Sequence, residues 1–338
     1  MINYGIVGFG LHGDRRLMPG FELSENSRAV AVCRRDLGRA QATARQYKIP
    51  HAFSSVEDLC RCPDVQAVLV TSPNNCHLSD VLTAVRCGKP VLCEKPLALN
   101  ADEARQMVTA AREANVLFGV AHVFRFCEST NRIRHRIAME EIGRPTLARA
   151  EFSFYAGPTH PRTWLYEKAV AGGGPIADIG VHCIDTLRFI LQDEISRVTA
   201  IGMSDKRSND VEAAAVLSME FSRGTLANVA VSYRAEYHTA IEVHGDTGAL
   251  ACDKGLSVDF PVTINLFRDN QVVDHQTVSN HLAYAKQVDE FSAAVEGKKH
   301  YRILGEEGWQ NQLVLDAAYE SMETGKTVDV PRINAIPR

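Results

Sequence analysis

The sequence has no long hydrophobic run and no large excess of charge of either sign. It contains no stretch of about 18 consecutive apolar residues, so it predicts no transmembrane helix. Lys and Arg total 37 and Asp and Glu total 41, for a formal net charge of −4. A nucleic-acid-binding surface would need concentrated basic charge. We therefore expect neither a nucleic-acid partner nor a membrane partner.

The cysteines do not follow the pattern of a disulfide framework. They number nine, an odd count, and are spread from Cys33 to Cys252, which favours reduced thiols in a cytosol. Cys60 and Cys62 form one close pair, without a second pair or a Cys/His cluster at metal-ligand spacing, so we expect no metal site. The first residues lack the basic-then-apolar plan of a signal peptide. The expected location is cytoplasmic.

A glycine motif follows directly after the first apolar segment. Ile2–Val7 reads as a strand and leads into G-x-G-x-x-G, with a helix-compatible stretch behind it. This order binds the pyrophosphate of a dinucleotide, because the glycines allow a tight turn and close backbone approach, and the helix N-terminus favours negative charge. The residues assigned to the cofactor here are Gly8, Phe9, Gly10, Leu11, His12 and Gly13.

The first part of the chain alternates apolar runs with helical segments. Further strands are predicted at Arg28–Cys33, Ala67–Thr71, Pro90–Cys93 and Leu117–Ala121, and helices at Leu37–Tyr47, Asn75–Arg86 and Ala101–Ala114, the last with Asn100 and Glu103 as a capping box. This alternation predicts an α/β fold with a Rossmann-type doubly wound parallel sheet in residues 1–122.

The pattern changes in residues 123–338. A predicted helix at Ser129–Glu141 precedes long strand-like segments, several of which alternate apolar and polar residues. The strands are expected at Thr146–Tyr155, Val198–Ser204, Ala213–Phe221, Thr225–Tyr233 and Ala240–Gly245, and late helices at Leu282–Val295 and Glu306–Glu323. We expect an α+β substrate-binding and oligomerisation domain with an open, mainly antiparallel sheet, whose last helices pack back on the first domain.

Polar residues follow two of the predicted parallel strands, where doubly wound sheets bind their ligands. The first group, assigned to cofactor binding, is Ser72, Pro73, Asn74 and His77; its structural alternative is a Pro-Asn turn before a helix. The second group, also assigned to cofactor binding, is Glu94 and Lys95. An ammonium at this edge can hydrogen-bond a substrate oxygen, and its alternative is a surface lysine before a proline.

A third group follows a run of three glycines. Asp178 and His182 are four residues apart, so on a helix they lie on one face. A carboxylate beside an imidazole orients the ring and raises its proton affinity, which suits general acid–base catalysis. The alternative is a buried pair that anchors the helix.

In this order and spacing, these motifs resemble the glucose–fructose oxidoreductase / inositol dehydrogenase (Gfo/Idh/MocA) family over essentially the whole chain. The segments that carry the resemblance are Gly8–Gly13, Ser72–Asn74 with His77, Glu94–Pro96, Arg125–Phe126, Gly172–Gly174, Asp178 with His182, and Val243–Gly248. The resemblance implies that Lys95 and His182 flank the reacting oxygen of a sugar or cyclitol, with Asp178 in support, while hydride moves to or from the nicotinamide.

The residues after the second strand indicate which dinucleotide is bound. An acidic residue here binds the ribose of NAD, but the chain has Arg34, then Arg35, with Arg39 further on. Guanidinium groups bind a 2′-phosphate by paired hydrogen bonds. We expect NADP(H) to be preferred, with NAD(H) as the alternative if Asp36 contacts the ribose.

The substrate pocket is expected to use aromatic and hydrogen-bonding side chains. The assigned residues are His122, Arg125, Tyr155, Trp164, Asp178 and His182, each of which has core packing as its alternative. One subgroup of the family carries an arginine directly after the tryptophan before the glycine run, whereas here Leu165 follows Trp164. We therefore do not assign that subgroup's substrate, and note Arg162 as a nearby guanidinium.

The leading prediction is an oxidoreductase acting on a sugar or polyol. One alternative keeps the fold and takes a non-carbohydrate carbonyl or dihydrodiol; another is a regulatory protein that binds a dinucleotide without turnover. An open sheet with an uncovered apolar face predicts a homodimer or homotetramer.

Overall fold

The computed structural model describes residues 1–157, 159–207 and 210–333. The chain divides into two compact units, each with a β-sheet of its own. The first unit contains Met1–Val123 and Leu282–Trp309. Within the described ranges, no helix combines the length and the hydropathy that a membrane span requires.

The secondary structure alternates in the first part of the chain and is mainly strand in the second. The strands are β1 (Ile2–Val7), β2 (Ser27–Cys33), β3 (His51–Phe53), β4 (Ala67–Val70), β5 (Val91–Glu94), β6 (Phe118–Ala121), β7 (Pro145–Ser153), β8 (Ile195–Met203), β9 (Ala214–Phe221), β10 (Leu226–Ser232), β11 (His238–Gly245), β12 (Ala249–Asp253), β13 (Val262–Arg268), β14 (Gln271–Val278) and β15 (Val328–Asp329). The α-helices are α1 (Met18–Glu22), α2 (Leu37–Tyr47), α3 (Val56–Arg61), α4 (His77–Arg86), α5 (Ala101–Glu113), α6 (Glu128–Ala138), α7 (Lys168–Ala171), α8 (Val181–Leu191), α9 (Ala283–Val295) and α10 (Gly305–Thr324).

The sheet of the first unit is parallel throughout and has the order β3-β2-β1-β4-β5-β6. Every residue of β4, β5 and β6 is buried, which explains their unbroken apolar sequences. This order is that of a doubly wound dinucleotide-binding sheet. The predicted parallel sheet is confirmed. Strand β3 was not predicted from the sequence, because three residues are too few to establish a period.

Side-chain caps fix where the helices of the first unit begin. The Asp36 carboxylate accepts from the backbone N–H of Arg39 at 2.8 Å at the start of α2. The Asn100 side chain accepts from the N–H of Glu103 at 2.9 Å at the start of α5, as predicted. The Glu103 carboxylate accepts from the N–H of Leu99 at 3.1 Å, so it also stabilises the chain ahead of the cap.

Helix α9 lies within the first unit although it comes late in the chain. The Tyr4 hydroxyl donates to the backbone oxygen of Val288 at 3.2 Å. The Asp289 carboxylate accepts from the backbone N–H groups of Glu25 and Asn26, at 3.0 and 3.2 Å. These bonds connect α9 to β1 and to the turn before β2.

The second unit contains Phe124–His281 and the segment that follows from Gln310. Its sheet has nine strands in the order β14-β13-β12-β11-β7-β10-β9-β8-β15. Strands β7 and β10 pair in parallel and the other neighbours pair antiparallel, so the predicted mainly antiparallel sheet is confirmed. Strands β12–β15 were not predicted from the sequence.

The two faces of this nine-stranded sheet differ. Helix α8, whose residues are almost all buried, packs against β7. Along β9, buried residues such as Leu217 and Met219 alternate with exposed ones. The alternation gives the sheet one core face and one open face, as predicted for an open antiparallel sheet.

Candidate functional site

The glycine loop follows β1 in a conformation that depends on glycine. Gly8 has a φ of +76°, and a Cβ on it would lie 2.5 Å from the Cα of Ser72. Gly13 packs against the Phe9 ring, which would lie 3.1 Å from an added Cβ. Around Gly10, by contrast, the described part of the chain places no non-neighbouring atom within 4 Å of an added Cβ. Gly8 therefore serves the turn itself, and Gly10 leaves open space beside the backbone.

The helix behind the loop begins differently from the prediction. The backbone N–H of Asp14 donates to the oxygen of Gly10 at 3.2 Å, and Gly13–Leu17 forms a π-helical turn before α1. The sequence predicted a helix here but not its widened first turn, because hydrophobic spacing over five residues does not distinguish a π-helical turn from an α-helical one. Single π turns occur often at functional sites.

Glu94 connects the glycine loop to the end of β5. The Nε2 of His12 lies 2.9 Å from one Glu94 oxygen, and the backbone N–H of Lys95 donates to the other at 3.3 Å. Burial raises the pKa of the Glu94 carboxyl, but His12 and Lys95 outweigh this effect and hold the pKa below its ordinary value. Glu94 is therefore a buried carboxylate held between His12 and the backbone of Lys95. Lys95, half-buried, follows it directly.

The loop after β4 packs against the glycine turn. Ser72, whose Cα faces Gly8, donates its hydroxyl to Asp80 at 2.6 Å. Pro73 precedes a 3-10 turn that begins with the buried Asn74. These residues remain predicted cofactor ligands.

His77 is held by the protein itself. It is 1% exposed, with its Nδ1 within 3.2 Å of the backbone oxygens of Pro96 and Leu97 and its Nε2 2.9 Å from that of Ser72. Burial lowers the pKa of the imidazole. This geometry favours a structural role for His77, tying together the loops after β4 and β5, over direct contact with a dinucleotide.

The predicted phosphate-binding arginines lie at the end of β2 and the start of α2. Arg35 and Arg39 are exposed, and Arg34 is half-buried with its guanidinium donating to the hydroxyl of Thr43 at 2.9 Å. Asp36, the acidic alternative for ribose recognition, uses its carboxylate to cap α2.

In the second unit, Asp178 and His182 lie at a widened turn. Ile176–Gly180 is π-helical and continues into α8. Asp178 is 7% and His182 9% exposed. The His182 ring meets Phe124 edge-on, with centroids 4.7 Å apart, and lies 6.1 Å from Phe152 in a stacked orientation. Two aromatic rings thus fix the plane of the imidazole.

Two side chains lie beside Asp178: Arg162, noted above for its guanidinium, and Tyr233, which was not identified from the sequence. The hydroxyl of the fully buried Tyr233 donates to an Asp178 oxygen at 3.0 Å, and Nη2 of Arg162 lies 3.7 Å from that oxygen. Burial and the Asp178 charge raise the pKa of Tyr233 well above its ordinary value, so Tyr233 stays a donor. Tyr233 is 55 positions away in sequence, and only the fold brings it to Asp178.

The glycine run before Asp178 is explained by its neighbours. A Cβ on Gly173 would lie 1.8 Å from the Tyr319 hydroxyl, and one on Gly174 would lie 2.2 Å from the backbone oxygen of Glu212. From the sequence, the run served only for the family resemblance, and the fold shows which groups pack against it.

The other predicted substrate residues have different surroundings. His122 is buried in the first unit. Arg125, in the second, is also buried and donates from Nε and Nη2 to both oxygens of Asp185, at 2.7–3.1 Å. This pairing favours the structural alternative for Arg125. Tyr155 is exposed and accepts from Arg207 at 3.3 Å, and Trp164 is half-buried in a 3-10 turn.

One cluster of side chains was not anticipated. His51, Cys62 and Asp64 place their potential metal-ligand atoms within 4.8 Å of one another, although they are not at metal-ligand spacing in sequence. The Nε2 of His51 lies 2.7 Å from an Asp64 oxygen. This exposed His–Asp hydrogen bond accounts for the contact without a metal.

The residues present fit a bound dinucleotide in the first unit. The left-handed Gly8, the open space beside Gly10 and the helical turn from Gly13 together form a cradle of backbone groups at the carboxyl edge of the sheet. The fold and this loop define a dinucleotide-binding α/β protein.

Comparison with known proteins gives the family. Residues 2–122 match the model of the oxidoreductase family with an NAD-binding Rossmann fold (GFO/IDH/MocA), and residues 130–251 match the GFO/IDH/MocA C-terminal domain. The chain belongs to the Gfo/Idh/MocA family of oxidoreductases. The predictions of family, fold and enzyme class are confirmed.

Three similar proteins extend this result. The 1,5-anhydro-D-fructose reductase of Ensifer adhaerens is 32% identical over 98% of this chain and 99% of its own length. D-xylose 1-dehydrogenase (NADP(+)) 2 of Haloferax volcanii is 30% identical over 97% of this chain and 99% of its own length. The aldose-aldose oxidoreductase of Caulobacter crescentus, solved with glycerol, is 24% identical and superposes with a TM-score of 0.89 over 97% of this chain and 99% of that one, which supports the fold.

Proposed function

We propose that this enzyme moves hydride between NADP(H) and a secondary alcohol or ketone of a sugar, cyclitol or related polyol. The observation that carries the proposal is the Asp178–His182 turn, where a buried carboxylate and an oriented imidazole lie in one helical segment. The names of the two curated relatives specify sugar substrates, and both relatives match nearly the full chain. They support the substrate class.

The acid–base chemistry is assigned to three residues. In oxidation, His182 takes the hydroxyl proton as the C–H hydride leaves and the carbonyl forms; in reduction it returns that proton. Lys95 is assigned as a hydrogen-bond donor that favours the deprotonated form of a substrate oxygen. Asp178 stabilises the protonated imidazole, and Tyr233 and Arg162 hold the Asp178 carboxylate. When bound, the nicotinamide supplies the hydride acceptor or donor.

Preference for NADP(H) is supported by the charges at the end of β2. Arg34, Arg35 and Arg39 are cationic, while one oxygen of the Asp36 carboxylate is engaged in the cap of α2. A guanidinium group matches the geometry of a phosphate. The relative from H. volcanii, which carries NADP(+) in its name, is consistent with this choice.

The substrate is left at the level of its class. Leu165 stands where the subgroup noted above has an arginine, and the Arg162 guanidinium lies beside Asp178 instead. A guanidinium in this different position would present its donors to the substrate from another direction. We therefore do not propose anhydrofructose, the substrate of that subgroup, as the substrate of this chain.

The enzymatic test is turnover with a panel of aldoses, ketoses, cyclitols and dihydrodiols, with NADP⁺ or NADPH, following the absorbance of reduced nicotinamide. We expect turnover with a sugar or cyclitol, and its loss in His182→Ala with NADPH affinity retained. Turnover with dihydrodiols alone would favour the non-carbohydrate alternative. Tight NADPH binding without turnover on the whole panel would favour a regulatory protein.

We further propose that the open face of the nine-stranded sheet forms a homodimer or homotetramer interface. Large apolar side chains from four strands lie on this face: Leu147, Ile201, Met203, Val216 and Leu226. Ile201 is 76% exposed. Such a patch is typical of an association surface. Light scattering after size exclusion should give a dimer or tetramer for the wild type and a smaller species for Ile201→Glu, whereas a wild-type monomer would contradict the proposal.

A further inference from the structure

A buried glutamate outside the proposed acid–base group contacts the turn that carries that group. Glu212 lies just before β9 and is 4% exposed. One of its carboxylate oxygens accepts from the backbone N–H of Ile176 at 2.9 Å and from the Tyr319 hydroxyl at 3.1 Å. The other accepts from the backbone N–H of Gly174 at 3.0 Å. Three donors thus converge on one carboxylate.

These bonds replace a local helix cap. The first N–H groups of a helix have no partner within it and are usually capped by a nearby side chain. Here the residue before the π-helical turn is Pro175, whose side chain has no acceptor. Glu212 supplies the acceptor from a position 36 residues away from Ile176. The start of the helical segment therefore depends on the carboxylate of Glu212, which lies just before β9.

The same bonds lead on to Asp178. The backbone oxygen of Gly174, whose N–H is held by Glu212, accepts from the N–H of Asp178 at 3.0 Å. The lack of a Cβ at Gly173 and Gly174 lets the turn lie directly on Tyr319 and Glu212. A shift of the carboxylate would therefore shift the turn and the side chains that follow it.

We propose that Glu212 is a positioning residue, which acts through the Gly174–Ile176 turn to place Asp178 and His182, and that Tyr319 orients its carboxylate. The catalytic part of this inference rests on the proposed function. The bracing of the turn does not, because it follows from the hydrogen bonds alone.

The test is Glu212→Gln, which keeps the shape of the side chain. The amide oxygen can replace the oxygen that accepts two bonds, but the amide nitrogen then faces the N–H of Gly174, donor against donor. The matched control is Asp193→Asn in the same unit. Asp193 is also buried and accepts the backbone N–H groups of Glu194 and Arg223, each at 2.9 Å, at a turn after α8.

The first readout is hydrogen exchange of residues 172–182, which needs no substrate. We expect faster exchange in Glu212→Gln and wild-type exchange in Asp193→Asn. Unchanged exchange in Glu212→Gln would overturn the brace. If Glu212→Gln does not fold, Tyr319→Phe removes one of the three donors and should accelerate the same segment to a smaller extent; unchanged exchange there would overturn the role of Tyr319.

The second readout is kcat in a double-mutant cycle with His182→Ala. Glu212→Gln should lower kcat about 10- to 100-fold, since small misplacements of catalytic groups have effects of this order, while the Kd for NADPH stays unchanged. In the His182→Ala background it should have little further effect, because the group that it positions is absent. Equal losses in both backgrounds would overturn the positioning role. Absence of turnover in the wild type would overturn the proposed function, and hydrogen exchange would still decide the brace.

Discussion

Gly8 and Gly10 belong to one motif, but the structure predicts opposite results for their replacement by alanine. At Gly8 the backbone has a φ of +76°, and the new Cβ would lie 2.5 Å from the backbone of Ser72. The left-handed conformation alone costs a non-glycine residue about 1–2 kcal/mol. Relief of the overlap adds to this cost, so we expect a loss of about 2 kcal/mol or more. At about 2–4 °C per kcal/mol, the Tm should fall by about 4–8 °C.

At Gly10 the expected effect is on binding. Its φ lies outside the left-handed region, and the described residues leave the space around an added Cβ open. Alanine in an ordinary conformation stabilises a fold by about 0.4–1 kcal/mol relative to glycine. The Tm of Gly10→Ala should therefore be unchanged or slightly higher. If a pyrophosphate approaches the backbone there, the methyl group should raise the Kd for NADPH at least about 10-fold, a cost of about 1.4 kcal/mol.

The assay combines thermal unfolding without ligand and a fluorescence titration with NADPH for the wild type and both variants. Gly8→Ala is the matched control, because it shows what a structural glycine does to the Tm. A Gly10→Ala protein with wild-type Tm and wild-type NADPH affinity would refute the assignment of the open space to the pyrophosphate. A large Tm loss in Gly10→Ala would refute the conclusion that the space beside Gly10 is open.

Three further predictions follow from the two units. Arg34→Ala should weaken NADPH binding about 10-fold and leave NADH binding unchanged in parallel titrations. This magnitude is that of one charged hydrogen bond, reduced because the site is partly exposed. An equal loss for both cofactors would show that Arg34 does not bind the 2′-phosphate. Lys95→Ala and His182→Ala should each lower kcat at least about 100-fold, as expected for loss of a positioned acid–base group. The Kd for NADPH should stay within about 3-fold of wild type. A near-wild-type kcat in either variant would contradict the role assigned to the residue replaced. Since the folded-state pKa of Glu94 is lowered, its ionised form contributes stability at neutral pH that is lost as the pH falls through that pKa. In denaturant unfolding, the difference in free energy of unfolding between wild type and Glu94→Gln should shrink below about pH 4. A difference that grows on acidification would contradict the pairing with His12.

Much of the first unit was predictable because its signals are local. The strands β4, β5 and β6 are short apolar runs buried on both faces, and Asn100 marks the start of α5 within a few residues of sequence. The glycine loop was predictable for the same reason: its spacing reflects the geometry of one turn.

The parts that were not predicted depend on contacts between distant residues. Strand β14 is largely polar and exposed, and among the described strands it pairs with β13 alone, so its sequence has no alternating apolar pattern. Both π-helical turns lack a distinguishing sequence period.

The partners of the acid–base turn were missed for a similar reason. Tyr233, just after β10, and Glu212, just before β9, contact it from positions that the sequence does not link to it. The glycines at positions 173 and 174 signal close packing there, but only the fold identifies Tyr319 and Glu212 as the neighbours.

The measurement that most directly tests the central claim is single-turnover reduction with NADPH across ketoses and oxidised cyclitols, with the wild type and His182→Ala side by side. The account predicts that the wild type consumes bound NADPH with at least one of these carbonyl compounds, and that His182→Ala binds NADPH normally but consumes it at least about 100-fold more slowly. Equal rates in the two proteins, or tight NADPH binding with no consumption across the panel, would contradict it.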